Sequence, residues 1–219
     1  MMPRPRSLTP DEIAAAALTV IDRDGLSGLS MRTTAEELGR GTMSLYRYIK
    51  DREELERLVV DHVLAAVEIA LAQKTSWQEH LRILATRIRA AVSAHPAIVP
   101  LLLRHRHSSQ GVRRCAEGLL SALTDGGFAG EQRVIALRTL VSYLSGSLQA
   151  QDLGPLAGTG TRMLARLPAT EYPLLSATAK SAKNVGADDE FLGGLTVVMD
   201  GLARLRRARV RAAKRSAPG

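Results

Sequence analysis

Apolar residues recur every three to four positions along most of the chain, the spacing that places them on one face of an α-helix. The first such stretch opens with Thr9 and Glu12, which form a capping box, and Gly25 closes it. A first helix is therefore predicted over about residues 10–24.

Two short helices with a tight turn between them are predicted next. Ser30 caps the first of them and Gly39 ends it, and the second runs over about residues 42–48. A short helix, a Gly-flanked turn and a second short helix form the layout of a helix-turn-helix.

The later stretches are longer. Asp51 and Glu54 form a second capping box, which opens a helix whose apolar stripe continues to about Gln73, and Ser76 and Glu79 form a third box. The remaining apolar stripes predict helices over four more segments: about 109–125, 131–152, about 172–183 and about 188–206.

Nothing in the pattern predicts a β-sheet. No strand-length alternating run is present, and residues 154–170, with three Gly and two Pro, are expected to form a loop. Aromatic residues make up only 3%, which favours a core of close-packed aliphatic helices. The predicted fold is all-α, with about nine or ten helices.

Composition narrows the possible classes of protein. The single cysteine, Cys115, excludes an intramolecular disulfide and a cysteine-based zinc site. The chain has no apolar run of the roughly 18–20 residues that cross a membrane, and its N-terminus does not resemble a signal peptide. We therefore expect a cytoplasmic protein without a bound metal or cofactor.

The net charge of +8 suggests a polyanionic partner, but the charge is unevenly distributed. Residues 1–60 carry a net charge of −1, whereas residues 74–114 and 201–219 carry +7 each. A DNA-binding function for the helix-turn-helix therefore depends on which face each charge occupies. The basic C-terminal segment is interpreted as a solvated helix end, with an added nucleic-acid contact as the alternative.

The second helix of the helix-turn-helix carries side chains suited to reading DNA. Leu45 and Ile49, four positions apart, are expected to pack inward and leave the opposite face free. Arg47 can pair with a guanine through two hydrogen bonds. The residues expected to contact base edges are Thr42, Met43, Ser44 and Arg47, and those expected to reach phosphates are Tyr46, Tyr48 and Lys50. The alternative for the tyrosines is a place in the core, which their spacing allows for only one of them.

The segment over about residues 9–60 resembles the DNA-binding domain of the TetR/AcrR family of transcriptional regulators. The motifs that carry the resemblance are AEELG at 35–39, TMSLYRYI at 42–49 and REEL at 52–55. The segments HPAIVPLLL at 95–103 and GGLTVVMDGLARL at 193–205 are similar to the C-terminal regulatory domain of the tetracycline-repressor-like subfamily.

The resemblance implies further DNA contacts and a division into domains. Arg32 falls at a base or phosphate contact of the family, and Ser30 and Thr33 fall at backbone-positioning sites. Arg40 stands where the family commonly has a small apolar residue, and it could add a phosphate contact. The expected parts are a helix-turn-helix domain over 1–50, a connecting helix over 51–74, a helical ligand-binding and dimerisation domain over 75–210 and a basic tail over 211–219.

The resemblance also implies a function: a homodimeric repressor that binds a palindromic operator and releases it when a small, largely apolar effector binds. A DNA-binding protein without an effector is the alternative, and no set of residues suggests an enzyme. The expected effector cavity is lined mainly by aliphatic side chains, with His62 on the connecting helix nearby. Its other residues are Trp77, Leu103, Cys115, Leu119, Leu140, Tyr143, Leu144, Gln149 and Met163.

Two alternatives remain for other residues. His105 and His107 flank Arg106, but no carboxylate lies nearby in the sequence, so we do not assign a metal site to them. Small residues such as Gly146 and Gly194 allow the last long helices either to form a four-helix bundle with a second subunit or to pack within one chain.

Overall fold

The computed structural model describes residues 8–71, 73–152, 156 and 158–215, and this part of the chain contains no strand. The predicted all-α class is confirmed. The helices are α1 (Pro10–Gly28), α2 (Met31–Glu37), α3 (Thr42–Leu45), α4 (Arg52–Ala65), α5 (Trp77–Ser93), a 3₁₀ helix (Pro96–Ile98), α6 (Val99–Arg104), α7 (Gln110–Asp125), α8 (Gly130–Asp152), α9 (Thr159–Leu164), α10 (Pro173–Ala182) and α11 (Ala187–Arg215).

The chain forms two compact units, residues 1–126 and residues 127–219. In the first unit α1 packs against α2 and α4, and α7 packs against α4 and α5. Its core is formed by apolar side chains from these helices, including Ile13, Ile21, Leu55, Val59 and Leu81. In the second unit α8 packs against α11, and α9 packs against α10. The predicted division into a DNA-binding domain ending at residue 50, a connecting helix ending at residue 74 and a ligand-binding domain is a division by function, and it stays a prediction.

Local capping chemistry explains why several helices begin where the sequence predicts. The Thr9 hydroxyl accepts a hydrogen bond from the Glu12 amide, and the Glu12 carboxylate accepts one from the Thr9 amide. The two other predicted boxes are only half formed. Asp51 and Ser76 cap α4 and α5, but the Glu54 carboxylate binds the Lys50 amide instead of closing its box.

The connecting helix is shorter than predicted. It ends at Ala65, not near Gln73, although the apolar stripe continues to Ile69. The Arg114 guanidinium donates to the carbonyls of Leu64 and Ala65, and so binds the last carbonyls of the helix. A contact from α7, far away in sequence, therefore accompanies the end of α4.

Other helix bounds also differ from the prediction. Gly25 interrupts α1 with φ of +70°, but helical backbone continues to Gly28. The expected loop over 154–170 contains α9, which starts after Gly158. The last helix extends to Arg215, beyond the predicted end at about residue 206. The Gly and Pro residues of 154–170 favour a loop by local preference. Local preference does not include the packing of α9 on α10, which stabilises the helix in the fold.

Gly39 permits the turn of the helix-turn-helix. Its φ is +63°, the left-handed region, whereas Gly41 on the other side of Arg40 has φ of −76°. A Cβ atom at either position would meet nothing within 4 Å, so only the backbone conformation distinguishes the two glycines.

We predict that Gly39→Ala lowers the free energy of unfolding by about 1–2 kcal/mol, because an L-residue is strained in the left-handed region. The matched control, Gly41→Ala, should change it by less than about 0.5 kcal/mol. Urea unfolding of the two variants checks this. Equal losses would show that the turn does not depend on the conformation of Gly39.

Candidate nucleic-acid interface and effector region

The helix-turn-helix segment is held together by hydrogen bonds that begin at Ser30. The Ser30 hydroxyl caps α2 by accepting from the Thr33 amide, and the Thr33 hydroxyl donates to the Gly28 carbonyl at 2.8 Å. The Arg40 amide donates to the Ala35 carbonyl and closes the turn after Gly39. These bonds fix the direction in which α3 leaves the turn.

The second helix is shorter than the predicted 42–48. The α-helix ends at Leu45, and the amides of Tyr48 and Ile49 both donate to the Leu45 carbonyl, which forms a tighter hydrogen-bonded turn. Arg47 and Tyr48 are therefore carried by this turn and not by regular helix.

Two apolar side chains anchor this segment. Leu45 and Ile49 are buried in the first unit. The side chains between and before them face solvent: Met43 is 78% exposed and Tyr46 is 50% exposed. Arg47, Tyr48 and Lys50 are exposed too, and Thr42 and Ser44 are half-buried. The outward surface thus combines two cations, hydroxyls and an exposed thioether along one short segment.

The other residues predicted to contact DNA differ in their exposure and in the partners that they already have within the protein. Arg32 is highly exposed and lies 3.6 Å from Glu36 in an ion pair one helical turn away. Arg40 is exposed at the turn. The hydroxyls of Ser30 and Thr33 are already hydrogen-bonded to each other, so a phosphate would have to share them. Their roles as DNA contacts stay predictions.

Acidic side chains in this region are partly neutralised by neighbours within the protein. Glu37 pairs with Arg23 at 2.8 Å, and Glu54 pairs with Arg57. These pairs reduce the local negative charge that a DNA duplex would meet. They help to explain how a segment without net positive charge could face a polyanion.

A buried carboxylate on α4 is the main feature that sequence reasoning missed. Glu56 is only 3% exposed, and its oxygens accept hydrogen bonds from Arg52 Nε at 3.0 Å and Arg104 Nη1 at 2.8 Å. The side chain of His105 is 1% exposed, and its Nε2 atom lies 3.1 Å from the same carboxylate. Burial alone would raise the pKa of Glu56, but the hydrogen bonds from His105, Arg104 and Arg52 outweigh it and lower the pKa.

A second contact fastens α4 to α7. The Asp61 carboxylate accepts from the Ser109 hydroxyl and, at 2.8 Å, from the Gly111 amide at the start of α7. A carboxylate at a helix N-terminus is favourable because it satisfies free amides and meets the positive end of the helix dipole. With Arg114 bound to the carbonyls of Leu64 and Ala65, the C-terminal part of α4 is fastened to α7.

The predicted effector residues of the first unit fall into two groups. Trp77, Cys115 and Leu119 are buried. His62 instead binds Asp11 on α1, with Nδ1 2.6 Å from Oδ1, and Leu103 is exposed. A cavity of about 710 Å³ in this unit is lined by Trp77 together with His80 and Asp125. The buried Nε2 atom of His80 has no hydrogen-bond partner among the described residues, so it is a polar group that a ligand could satisfy.

The predicted effector residues of the second unit are also divided. Leu140 and Leu144 are buried, whereas Gln149 and Met163 are exposed. The Tyr143 hydroxyl donates to the Phe191 carbonyl at 2.6 Å and lines a groove of about 500 Å³ between α8 and α11. The predicted cavity therefore stays a prediction, with its members described in each unit separately.

Among the described residues, no helix combines the length and apolar character that crossing a bilayer requires. The same residues contain no group of three or more His, Cys, Asp or Glu arranged to hold a metal ion.

Comparison with known proteins gives consistent matches over most of the chain. Residues 71–206 match the family model described as tetracyclin repressor-like, C-terminal domain. The HTH-type transcriptional repressor DrrR1 of Streptomyces coeruleorubidus is 30% identical over 215 residues, covering 91% of this chain and 78% of the relative. The class A tetracycline repressor protein from transposon 1721, of Escherichia coli, is 27% identical over 201 residues, covering 91% and 92%.

Solved structures agree with these matches. Apo ActR from Streptomyces coelicolor is 28% identical, with a TM-score of 0.78 over 92% of this chain and 97% of its own. ActR, described as a TetR family protein, has also been solved in complex with actinorhodin, and that structure gives a TM-score of 0.76 at 28% identity over 90% of this chain and 96% of that one.

Cys115 offers a test of burial among the predicted effector residues, because it is the only cysteine in the sequence. Burial raises the pKa of its thiol to about 11. The thiol therefore stays protonated at pH 8. Its raised pKa contributes to the free energy of unfolding below the unfolded pKa, and this contribution is lost as the pH rises through the folded pKa of about 11.

We predict that iodoacetamide at pH 8 alkylates native Cys115 about 100-fold or more slowly than the unfolded chain, whose thiol ionises at an ordinary pKa. Mass spectrometry of native and urea-unfolded samples measures the two rates. Similar rates would mean that the thiol is open to solvent.

Proposed function

Because the chain belongs to the TetR family of transcriptional regulators, we propose that it is a repressor that binds a palindromic operator as a homodimer and releases it when an effector binds. Family membership confirms the predictions that this is a DNA-binding regulator of the helix-turn-helix type and not an enzyme. A cytoplasmic location is part of the proposal, since operator DNA lies there.

The outward face of residues 42–48 is the observation that carries the proposed DNA reading. Burial of Leu45 and Ile49 leaves Met43 and Arg47 in solvent on a segment short enough to enter a major groove. We propose that Arg47 discriminates bases, with Thr42, Met43 and Ser44 beside it. Tyr46, Tyr48 and Lys50 would contact phosphates and set the register of the protein on the duplex.

The proposed homodimer is supported by apolar side chains that the second unit leaves exposed on its two long helices. Val134 and Ile135 on α8 are 61% and 54% exposed, and Val197 on α11 is 72% exposed. Gly146 and Gly193 have open space where a Cβ would lie, so another helix could approach closely there. A four-helix bundle between two subunits would cover these side chains.

The proposed effector is a small, largely apolar molecule. ActR has been solved in complex with actinorhodin, and a relative of this chain is named a tetracycline repressor protein, which supports a small-molecule effector for this chain. Buried aliphatic side chains such as Leu119 and Leu140 are suited to such a ligand. To change operator occupancy from 99% to 1%, the effector must prefer one state of the protein by about 10⁴-fold.

A DNA-binding protein without an effector is the second candidate. Operator affinity measured with and without a panel of polycyclic metabolites distinguishes the two. A compound that weakens operator binding supports the repressor with an effector, whereas binding unaffected by the panel favours the second candidate.

We predict that selection from random duplexes yields a palindrome with half-sites about one helical turn apart. Arg47→Ala should then reduce the preference for this sequence by about 1–3 kcal/mol, because a bidentate guanine contact is lost. Fluorescence anisotropy against the selected and scrambled duplexes measures the preference. The control Arg166→Ala, an exposed arginine in the second unit, should leave it unchanged.

The same titrations provide a check on phosphate contacts. Affinity should fall steeply as salt rises, because counterions are released when phosphates are neutralised. Unchanged selectivity in Arg47→Ala, or affinity independent of salt, would contradict the proposed interface.

We also predict that Ile135→Glu converts the dimer into monomers, because it places a carboxylate in the apolar face of α8. Sedimentation velocity measures the mass, and Leu174→Glu on α10 serves as the control, since Leu174 is 81% exposed but lies outside the two long helices. A dimer that survives Ile135→Glu would place the subunit contact elsewhere.

A further inference from the structure

The segment that covers α5, α6 and the start of α7 has a strong excess of positive charge. Residues 80–116 contain seven arginines and no Asp or Glu. Three of these arginines form ion pairs with carboxylates from outside the segment: Arg82 with Glu79, Arg87 with Glu68 and Arg104 with Glu56. Arg106 and Arg113 have no carboxylate partner among the residues that the structure describes, and both side chains are exposed. The charge of these two arginines is therefore not neutralised within the described protein.

Backbone carbonyls hold both guanidinium groups in place. Arg106, just before α7, donates from Nη1 to the Leu103 carbonyl at 2.8 Å. Arg113, in the first turn of α7, donates from Nη2 to the Ser108 carbonyl at 3.2 Å and from Nε to the Ser109 carbonyl at 3.3 Å. A guanidinium has five N–H donors, so most of them remain for another partner. A neutral carbonyl also leaves the net charge of the arginine unchanged.

The connection between α6 and α7 lies beside the proposed DNA-binding segment. A groove of about 250 Å³ is lined by His105 and Ser108 from this connection and by Lys50 from the end of that segment. Arg106 lies between His105 and Ser108 in the chain, so its exposed side chain leaves the backbone next to the groove. The positive surface that includes Lys50 therefore continues to Arg106.

The groove itself is unfavourable for an anion. Asp51, Glu53 and Glu54 also line it, and although Glu54 pairs with Arg57, the carboxylates together repel a phosphate. The exposed arginines beside the groove carry no such neighbouring carboxylate in an ion pair. A polyanion is therefore expected to pass over the groove and to contact Lys50 on one side of it and the arginines on the other.

We propose that Arg106 and Arg113 form an arginine patch that contacts operator phosphates next to those bound by Lys50. The inference rests on the proposed function for its operator, and it extends the DNA-binding surface beyond the helix-turn-helix. Contacts to phosphates fix position and add affinity but carry no sequence information. The arginine patch therefore adds to operator affinity and to its salt dependence, and leaves the sequence preference to residues 42–47.

The test compares two double variants that lose the same charge. Arg106→Gln/Arg113→Gln removes the arginine patch, and Arg166→Gln/Lys180→Gln removes two exposed cations of the second unit. At about 0.15 M salt, we expect the first variant to raise the Kd for the selected operator at least about tenfold, and the control to change it less than about twofold. The slope of log Kd against log salt should fall by about 3.6 in the first variant, because a dimer loses four phosphate contacts at about 0.9 each.

A charge-conserving variant separates phosphate contact from a structural role. Arg106→Lys/Arg113→Lys keeps both charges but loses the fork of donors that binds the carbonyls of Leu103, Ser108 and Ser109. We expect it to retain most of the salt dependence of the wild type. If it binds as weakly as the Gln variant, the carbonyl bonds are what matters and the arginine patch is overturned. Circular dichroism and sedimentation confirm that each variant is a folded dimer.

Neutral methylphosphonates, placed one at a time in the selected duplex, locate the contact. A position facing the arginine patch should weaken binding of the wild type and have little further effect on Arg106→Gln/Arg113→Gln. Equal losses for both proteins at every position would contradict the contact.

Two further results would overturn the arginine patch while the proposed function stands. One is an unchanged Kd and salt slope in the folded Gln variant, with Arg47→Ala still losing its sequence preference. The other is a loss of sequence preference in the Gln variant itself, which would mean that the substitutions disturb the helix-turn-helix. If the wild type and the control select no duplex at all, the proposed function fails, and the arginine patch fails with it.

Discussion

Burial of Leu45 and Ile49 fixes the side of the helix-turn-helix that meets solvent, and the remaining features of the proposed DNA-binding surface depend on it. The two side chains occupy the inner face of a segment only eight residues long, which leaves Met43 and Arg47 no place in the core. The turn at Gly39 sets the direction of that segment, and the cap at Ser30 sets the start of the helix before it. Function at this site therefore follows from which few residues are hidden.

Polar contacts in the first unit hold α4, the helix that follows the proposed DNA-reading segment. Helix α4 is held by the buried carboxylate of Glu56 in its second turn, by Asp61 one turn before its end and by Arg114 at its last carbonyls. Each contact reaches a residue of α6, α7 or the segment between them. Removing the partner of a buried polar group destabilises the fold. These contacts therefore favour a small number of defined positions for α4.

Local chemistry in the sequence was sufficient for the class of fold and for most helix starts. The capping box at Thr9, the cap at Ser30 and the glycine at 39 act within four residues and need no tertiary information. The end of α4 could not be predicted in this way, because the Arg114 guanidinium that binds its last carbonyls is about 50 residues distant in sequence. Helix α9 could not be predicted for the same reason, because its packing on α10 offsets the low helix propensity of the neighbouring Gly and Pro residues.

In the candidate site, too, some features could be predicted from nearby residues and others depend on contacts between residues far apart in the sequence. The exposed set around Arg47 could be predicted because Leu45 and Ile49 mark the inner face. No carboxylate lies near His105 in the sequence, yet Glu56, 49 residues earlier, binds it in the fold. A charged residue within an otherwise apolar helix face, as Glu56 is, was the one available signal. Its partners could be identified only from the fold.

Hydrogen exchange of the protein with and without its selected operator tests the account most directly. If residues 42–47 enter the groove, their amides and those of the adjoining turn should be protected in the complex, and the amides of α10 should not. Protection confined to other surfaces, with residues 42–47 unchanged, would contradict the assignment of this segment as the DNA-reading surface.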